Sequence, residues 1–242
     1  MFGPLAAVLA RDGSYREAFA VLLVPAVINL SLVLLARWLY PKPEDMEAAP
    51  PNIGSEYLPG IFWVYLLGAM LVAAGFADYP LIAFHFSRTE TVSGNWIAVF
   101  YSVAMAVSGT GSLVLGRLFD RFGFSVSVAL TLVSALFAPL VFLGNFWLAL
   151  VGAAIWGLGM GVHESIIPAA VAPMVSTRRR ASAFGTFTAG YGIFWFLGSA
   201  VIGILYDLSV ASVIAFCVVT QLVAVPIFAW VGYRSQASQP TL

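Results

Sequence analysis

The sequence predicts an all-α integral membrane protein of about seven transmembrane helices, the last six forming two inverted-topology three-helix repeats. Of the 242 residues, 61% are hydrophobic and 9% are charged, whereas soluble domains average about 25% charged residues. Too few polar residues are therefore present to coat a water-soluble domain. The apolar runs continue over roughly 20 residues, as in spanning helices, whereas barrel strands alternate over about 10. An internal sequence repeat, whose copies are separated by three spans, gives the inverted arrangement.

Seven apolar segments predict the spans. They run approximately from Glu17 to Tyr40, Pro59 to Phe84, Asn95 to Phe119, Phe124 to Leu143, Phe146 to Ala172, Ser182 to Tyr206 and Ser209 to Gly232. We interpret residues 1–40 as the remnant of an earlier half, because the apolar stretch from Met1 to Ala10 is too short to cross a bilayer. Residues 41–58, rich in proline and charge, predict a cytoplasmic linker. Residues 59–232 are then a six-helix half-bundle, and 233–242 a cytoplasmic tail.

The basic residues predict the orientation of the chain, since cytoplasmic loops retain Lys and Arg. Of the 11 basic residues, eight lie in loops on one side of the membrane and three on the other. The eight are Arg37, Lys42, Arg117, Arg121, Arg178, Arg179, Arg180 and Arg234, and the three are Arg11, Arg16 and Arg88. We therefore expect a multi-pass protein of the cell membrane, the inner membrane in a bacterium, with its carboxyl terminus in the cytoplasm.

A ten-residue pattern occurs twice at a constant offset of 87 residues. Both copies read Gly-Ser-x-Val-x-Gly-x-Leu-aromatic-Asp, one from Gly111 to Asp120 and the other from Gly198 to Asp207. Three predicted spans separate them, and an odd number reverses the direction across the membrane. The copies therefore indicate inverted-topology repeats, from which many secondary transporters are built. Gly203 and Asp207 in the second copy take the places of Gly116 and Asp120 in the first.

The first copy runs directly into a charged turn, which we call the elbow. Its sequence is Gly116-Arg117-Leu118-Phe119-Asp120-Arg121-Phe122-Gly123. It resembles the signature Gly-x-Leu-x-Asp-Arg-x-Gly between the eighth and ninth helices of major facilitator superfamily transporters, with Phe124 and Ser125 in place of the trailing basic residues. The resemblance implies that the last six spans are the seventh to twelfth helices of such a transporter. The first span then resembles the sixth helix, and the amino-terminal half is missing.

Asp120 lies at the predicted carboxyl end of a helix, where the helix dipole disfavours an anion. Arg117 and Arg121 could compensate it locally, and so could the start of the sixth span near Ser182, beside Arg178 to Arg180. The resemblance implies a conformational switch that ties Asp120 to the neighbouring helix in one transport state and releases it in another. The residues expected to form this switch are Gly116, Arg117, Asp120, Arg121 and Gly123. The alternative is a solvated loop charge that sets topology alone.

Asp78 and Glu164 are the ionisable residues deepest in apolar sequence, where a charge costs about 2.5 to 3.5 kcal/mol on insertion scales. Both follow the pattern Gly-x-x-acid in the first helix of a triplet, 86 residues apart. Pro80 and Pro168 beside them interrupt the helical hydrogen-bond ladder. Non-helical backbone at membrane depth is tolerated only against protein or a water-filled cavity. The resemblance implies that these two helices line the translocation path.

We therefore interpret Asp78, Tyr79, His163 and Glu164 as transport-path or coupling candidates. Counting from the span ends at 1.5 Å per residue, we expect Asp78 toward the outer side and Glu164 toward the cytoplasm, about 20 Å apart along the membrane normal. The alternatives are that both acids are structural and that His163 serves packing or a hydrogen bond.

The predicted function is a secondary active transporter that moves a small solute by alternating access, present here as a truncated carboxyl-terminal portion. The expected partners are the lipid bilayer, a small-molecule substrate and a missing amino-terminal half. One alternative is a non-transporting fragment or half-bundle that needs a partner half, and a seven-helix receptor is less favoured. The sequence carries no phosphate loop and no metalloprotease or serine-hydrolase pattern. We therefore expect no enzymatic activity, catalytic residue, cofactor, metal or nucleic-acid partner.

Overall fold

The computed structural model describes residues 15–39 and 57–237. Contacts divide the chain into two compact units, Met1–Asn52 and Ile53–Leu242. The predicted stump from Met1 to Ala10, residues 41–56 of the predicted linker and residues 238–242 of the predicted tail lie outside the described residues.

The described part of the first unit is one helix, α1, Tyr15–Leu39. Its segment Leu23–Leu39 is apolar, and large apolar side chains such as Leu30 and Val33 are more than half exposed on it. A helix that is apolar around its whole circumference suits a lipid or protein interior and not water. The structure therefore agrees with the helix predicted from Glu17 to Tyr40, with bounds that differ by one or two residues.

The second unit is built of helices in the order α2 to α10. Their bounds are α2 Gly60–Ala74, α3 Tyr79–Thr89, α4 Gly94–Phe122, α5 Phe124–Ala135, α6 Phe137–Leu143, α7 Phe146–Gly161, α8 Ile167–Ala169, α9 Arg180–Leu208 and α10 Val210–Ala237. A π-helical turn, Val162–Ile166, joins α7 to α8, and two 3₁₀ turns, Ala172–Met174 and Thr177–Arg179, precede α9.

Within the described residues, six of these helical stretches are long and apolar enough to cross a membrane. They are Gly60–Thr89, Gly94–Phe122, Phe124–Leu143, Phe146–Met174, Thr177–Leu208 and Val210–Ser235. Each coincides with a predicted span, and the third has the predicted bounds. The all-α membrane fold is therefore confirmed.

The contacts among these spans follow a two-fold pattern. The second helix of each triplet packs on the first helix of the other, as α4 on α7 and α9 on α2. The third helix of each triplet likewise contacts the first helix of the other, α6 on α7 and α10 on α2, and the two third spans meet as α5 on α10. If each helix is replaced by its counterpart in the other triplet, the same pairs of helices are in contact. Such reciprocity is the arrangement expected of inverted repeats.

Glycine permits two close helix crossings. A Cβ on Gly157 of α7 would overlap the backbone of Ala104 in α4, and a Cβ on Gly198 of α9 would overlap the backbone of Ala74 in α2. Small residues at such positions let membrane helices approach closely and gain van der Waals contact. These crossings hold the broken first helices of both triplets against their unbroken neighbours.

Candidate functional site

The first broken helix is interrupted between α2 and α3. The α2 helix ends at Ala74, and Asp78, in extended conformation with ψ 145°, precedes the first residue of α3. The break therefore begins several residues before Pro80. Gly75 is required at its start, because a Cβ there would collide with the Thr220 hydroxyl of α10.

The Asp78 carboxylate does not cap the start of α3. An aspartate before a helix normally accepts from the backbone N–H of the second or third helical residue, but here the second residue is Pro80, which has no N–H, and the N–H of the third, Leu81, donates to the Asp78 backbone carbonyl at 3.1 Å. The carboxylate instead accepts from Trp195 Nε1 at 2.8 Å and from Ser199 Oγ at 2.6 Å, both on α9. Asp78 thus ties the break of the first triplet to the second helix of the other triplet.

The second broken helix is interrupted between α7 and α8. The turn Val162–Ile166 is π-helical, and Ile167 N–H donates to the Val162 carbonyl five residues earlier. Pro168 follows, and it cannot donate to the Glu164 carbonyl. Single π turns inside helices occur frequently at functional sites. Glu164 lies within this turn.

An aromatic side chain of each broken helix donates a hydrogen bond to a backbone carbonyl at the break of the other helix. Trp156 Nε1 of α7 donates to the Ala77 carbonyl at 2.8 Å, and Tyr65 OH of α2 donates to the Ile167 carbonyl at 2.7 Å. Unsatisfied carbonyls in hydrocarbon cost several kcal/mol each. These two reciprocal hydrogen bonds therefore make each interruption dependent on the other.

A cavity of about 640 Å³ adjoins both breaks. Its wall contains both candidate acids, four large aromatic side chains and smaller apolar groups, and the lining residues are Asp78, Tyr79, Pro80, Gly94, Ile97, Ala98, Tyr101, Met105, Trp156, Met160, Glu164 and Trp195. Three helical turns from the start of α4 contribute to one side. The structure therefore brings Asp78, Tyr79 and Glu164 to one cavity.

Both acids line one cavity, whereas the sequence predicts them about 20 Å apart along the membrane normal. On α9, Ser199 contacts Asp78 and Tyr191 contacts His163, the neighbour of Glu164. These two positions are eight residues apart, roughly 12 Å along a helix at 1.5 Å per residue.

His163 does not line this cavity. Its ring is buried, its Nδ1 is hydrogen-bonded to Tyr191 OH, and its ring centroid lies 4.3 Å from that of Phe76 and 5.3 Å from that of Trp195. The side chain therefore packs behind the cavity wall, as the alternative for this residue supposed. Tyr79 does face the cavity, and its OH donates to the Ile97 carbonyl at 2.7 Å.

The elbow lies around a second cavity, of about 700 Å³, at the other end of the bundle. It is lined by the start of α2, the elbow, the 3₁₀ turn before the triple arginine and the end of α10, through Ile61, Phe119, Asp120, Arg121, Phe122, Gly123, Phe124, Pro173, Met174, Gly232 and Ser235. Gly123 turns the chain with φ 58°, a conformation that favours glycine. These segments therefore share one end of the bundle.

Within the described residues, the Asp120 carboxylate makes no hydrogen bond or ion pair. It is exposed, Arg117 Nη1 donates to the Leu113 carbonyl at 3.2 Å, and the Arg121 guanidinium lies 5.2 Å from the Phe122 ring centroid. The described contacts of Arg117 and Arg121 do not involve Asp120, and the contact predicted with Ser182 or with the triple arginine stays a prediction. The counterpart Asp207 is likewise exposed, near the end of α9, and Gly116 and Gly203 both face open space.

Sequence reasoning missed the partners of Asp78. The sequence does not single out Trp195, and Ser199 enters only as the serine of the repeated pattern. The repeat held the missing signal, because the counterpart Ser112 also reaches a break: its Oγ lies 3.4 Å from the Gly161 carbonyl. The serine of the repeated pattern thus lies beside the broken helix of the opposite triplet in both copies.

Comparisons with known proteins agree with this architecture. The family model described as Major Facilitator Superfamily matches residues 60–241. The chain is 33% identical over 233 residues to the uncharacterized protein Rv2265 of Mycobacterium tuberculosis strain H37Rv, and equally to the uncharacterized protein Mb2288 of Mycobacterium bovis. Each match covers 93% of this chain and 57% of the relative, so the chain spans little more than half the length of these relatives.

No solved structure matches the chain. The family match extends over the whole six-helix bundle, including both breaks, the elbow and the two copies of the repeat. The chain therefore belongs to the Major Facilitator Superfamily, a family of membrane transporters.

Proposed function

We propose that the chain by itself moves a small solute by alternating access, as the carboxyl-terminal portion of a secondary active transporter. The observation that carries the proposal is the cavity of about 640 Å³ at the two helix breaks, with a carboxylate from each break in its wall. Discontinuous helices at the interface of inverted repeats supply substrate and coupling-ion sites in many transporters. Family membership supports transport in general, and the cavity supports a site within this half.

The contacts across the cavity suit a rocking motion. The tie from Asp78 to Trp195 and Ser199 joins the two triplets with two hydrogen bonds to a carboxylate. Such charge-assisted bonds are strong but can be exchanged when the carboxylate is protonated or meets a ligand. Asp78 is thereby a coupling residue in the proposal, and Glu164 is the acid that faces the solute.

The elbow end of the bundle is assigned to the cytoplasm in this proposal. The second cavity brings the elbow and the chain before the triple arginine to one end, and basic residues concentrate in these loops. Cytoplasmic loops retain basic residues. The first cavity would then open toward the outer side of the cell membrane, near the start of α4.

A second candidate function is a half-bundle that transports only with a partner half. It is favoured by the second helices of the two triplets, because α4 and α9 leave large apolar side chains outside the bundle. Leu113 of α4 is 68% exposed, and Phe196 of α9 is 72% exposed. The partial coverage of the longer relatives supports the same candidate.

Proton-coupled flux in proteoliposomes tests transport by the chain itself. Vesicles loaded with the pH-sensitive dye pyranine are exposed to organic cations, organic anions and neutral solutes in turn. The proposal expects at least one solute to change the internal pH, and Asp78→Asn and Glu164→Gln each to abolish the change. Glu90→Gln is the matched control, because Glu90 is exposed and does not line the cavity. Folded protein that gives no flux with any solute would reject autonomous transport and favour the half-bundle.

A further inference from the structure

The charged side chains that line the first cavity are all acidic. Its described lining contains two acids, Asp78 and Glu164, and no Lys, Arg or His. The Asp78 carboxylate is held by neutral donors, the Trp195 N–H and the Ser199 hydroxyl, which stabilise its negative charge without cancelling it. Carboxylates in apolar surroundings are costly unless a cation pairs with them. The cavity is therefore electrostatically complementary to a positive charge.

Glu164 is the acid that remains available to a ligand. Within the described residues its carboxylate has no hydrogen bond or ion pair, and the side chain is exposed at the cavity wall. The π turn places it one turn beyond Met160, which also lines the cavity. Asp78, by contrast, is already engaged by two donors. A bound cation would thus meet Glu164 directly.

Aromatic rings surround the same space. The Tyr79 ring centroid lies 4.7 Å from that of Tyr101 and 5.3 Å from that of Trp156, and the Trp195 indole completes the wall beside Asp78. Cations within about 6 Å of such ring faces are attracted by the ring quadrupole. An apolar, aromatic wall also suits the carbon skeleton of a ligand and offers few of the oxygen ligands that hard metal ions prefer.

The observations favour an organic over an inorganic cation. In the part of the chain that the structure describes, no group of three His, Cys, Asp or Glu residues is placed to hold a metal ion. The volume of about 640 Å³ is within the range of about 300–1,000 Å³ that is usual for sites of drug-sized ligands. A single ion would leave most of this space and all of its aromatic surface unused.

We propose that this cavity binds an organic cation with an aromatic or apolar body, whose charge pairs with Glu164 and whose body packs against Tyr79, Tyr101 and Trp156. The inference rests on the proposed function, in which the same cavity is the solute site. It assigns the chemical class of that solute. The cationic group lies between the two acids, and Asp78 remains tied to α9 until the ligand or a proton replaces its donors.

Binding of two ions of the same shape and opposite charge tests the assignment. Tetraphenylphosphonium and tetraphenylborate are measured separately by isothermal titration calorimetry with the full chain in nanodiscs, and protein-free nanodiscs serve as the blank. We expect saturable binding of tetraphenylphosphonium and none of tetraphenylborate. Glu164→Gln should weaken the binding by about tenfold or more, the factor that corresponds to losing about 1.4 kcal/mol.

Two further variants control for shape and for folding. Glu90→Gln removes an equal charge away from the cavity and should leave the affinity unchanged. Tyr101→Ala, which shortens the aromatic wall, should weaken tetraphenylphosphonium binding while the thermal unfolding of the protein stays cooperative. Equal or tighter binding of tetraphenylborate would overturn the proposal. An affinity of Glu164→Gln for tetraphenylphosphonium equal to that of the unaltered chain would also overturn it. So would the absence of saturable tetraphenylphosphonium binding by cooperatively folded protein.

These outcomes are separable from those of the flux experiment. Saturable cation binding without flux would reject autonomous transport and leave the cation site standing. Proton-coupled flux driven only by anionic or neutral solutes, without cation binding, would reject the solute class and leave transport standing.

Discussion

The substitution Gly157→Ala tests one of the two close crossings between the triplets. The added Cβ would lie 2.7 Å from the Ala104 Cα and 2.6 Å from its carbonyl carbon, whereas ordinary contacts are 3.4–4 Å. These neighbours are backbone atoms of α4, so no side-chain rotation can remove the overlap. The helices must part by roughly 1 Å, which forfeits a quarter to a half of each contact across the crossing.

Overpacking of this kind costs about 1–3 kcal/mol, and we expect the upper part of that range because backbone must move. For a chain of this size, a loss of about 2–3 kcal/mol lowers Tm by about 4–12 °C. Thermal unfolding in detergent, followed by tryptophan fluorescence, measures the shift. Gly192→Ala is the matched control, since a Cβ there meets nothing within 4 Å, and alanine should raise Tm slightly through helix propensity. A Tm for Gly157→Ala equal to that of Gly192→Ala would refute the close crossing.

Three further predictions concern single contacts. Ser199→Ala removes one hydrogen bond to a carboxylate and should lower the free energy of unfolding by about 1.5–3 kcal/mol; this loss should disappear in the Asp78→Ala background, which has no acceptor for the hydroxyl, and a double-mutant cycle without coupling would contradict the tie. Tyr65→Phe should leave the Ile167 carbonyl unsatisfied and speed amide hydrogen exchange in residues 162–171 more than in α10; uniform exchange would show that the bond does not hold the break. Asp120→Asn should change the free energy of unfolding by less than about 0.5 kcal/mol, because the exposed carboxylate has no partner among the described residues. The same substitution should reduce flux in an assembly that transports. Unchanged flux would favour a solvated loop charge that sets topology alone.

The spans could be predicted because hydrophobicity and length alone decide what crosses a bilayer. The span from Phe124 to Leu143 was predicted with its exact bounds, since Gly123 and Gly144 delimit it in the sequence. The repeat predicted inverted triplets, and the reciprocal packing of α4 on α7 and of α9 on α2 agrees with them.

The site could be predicted only in part. Asp78 and Glu164 were identified because charges are rare and costly at membrane depth. Their common cavity was not, because the distance between them depends on how the backbone departs from a helix at Gly75 and Val162. The role of Trp195 was hidden for another reason. An indole usually packs in a membrane helix, and only the tertiary approach of α9 to the first break gives its N–H a carboxylate to bind.

The crossed hydrogen bonds from Trp156 to the Ala77 carbonyl and from Tyr65 to the Ile167 carbonyl limit the mechanical freedom of the bundle. Two hinges in separate helices would ordinarily give two independent bending motions. Here the donor for each hinge is carried on the rigid part of the other helix, so bending one hinge displaces a donor from the second. The bending of one hinge is thereby coupled to that of the other, and displacement of the Trp156 indole, which lines the cavity, would remove the donor of the first hinge.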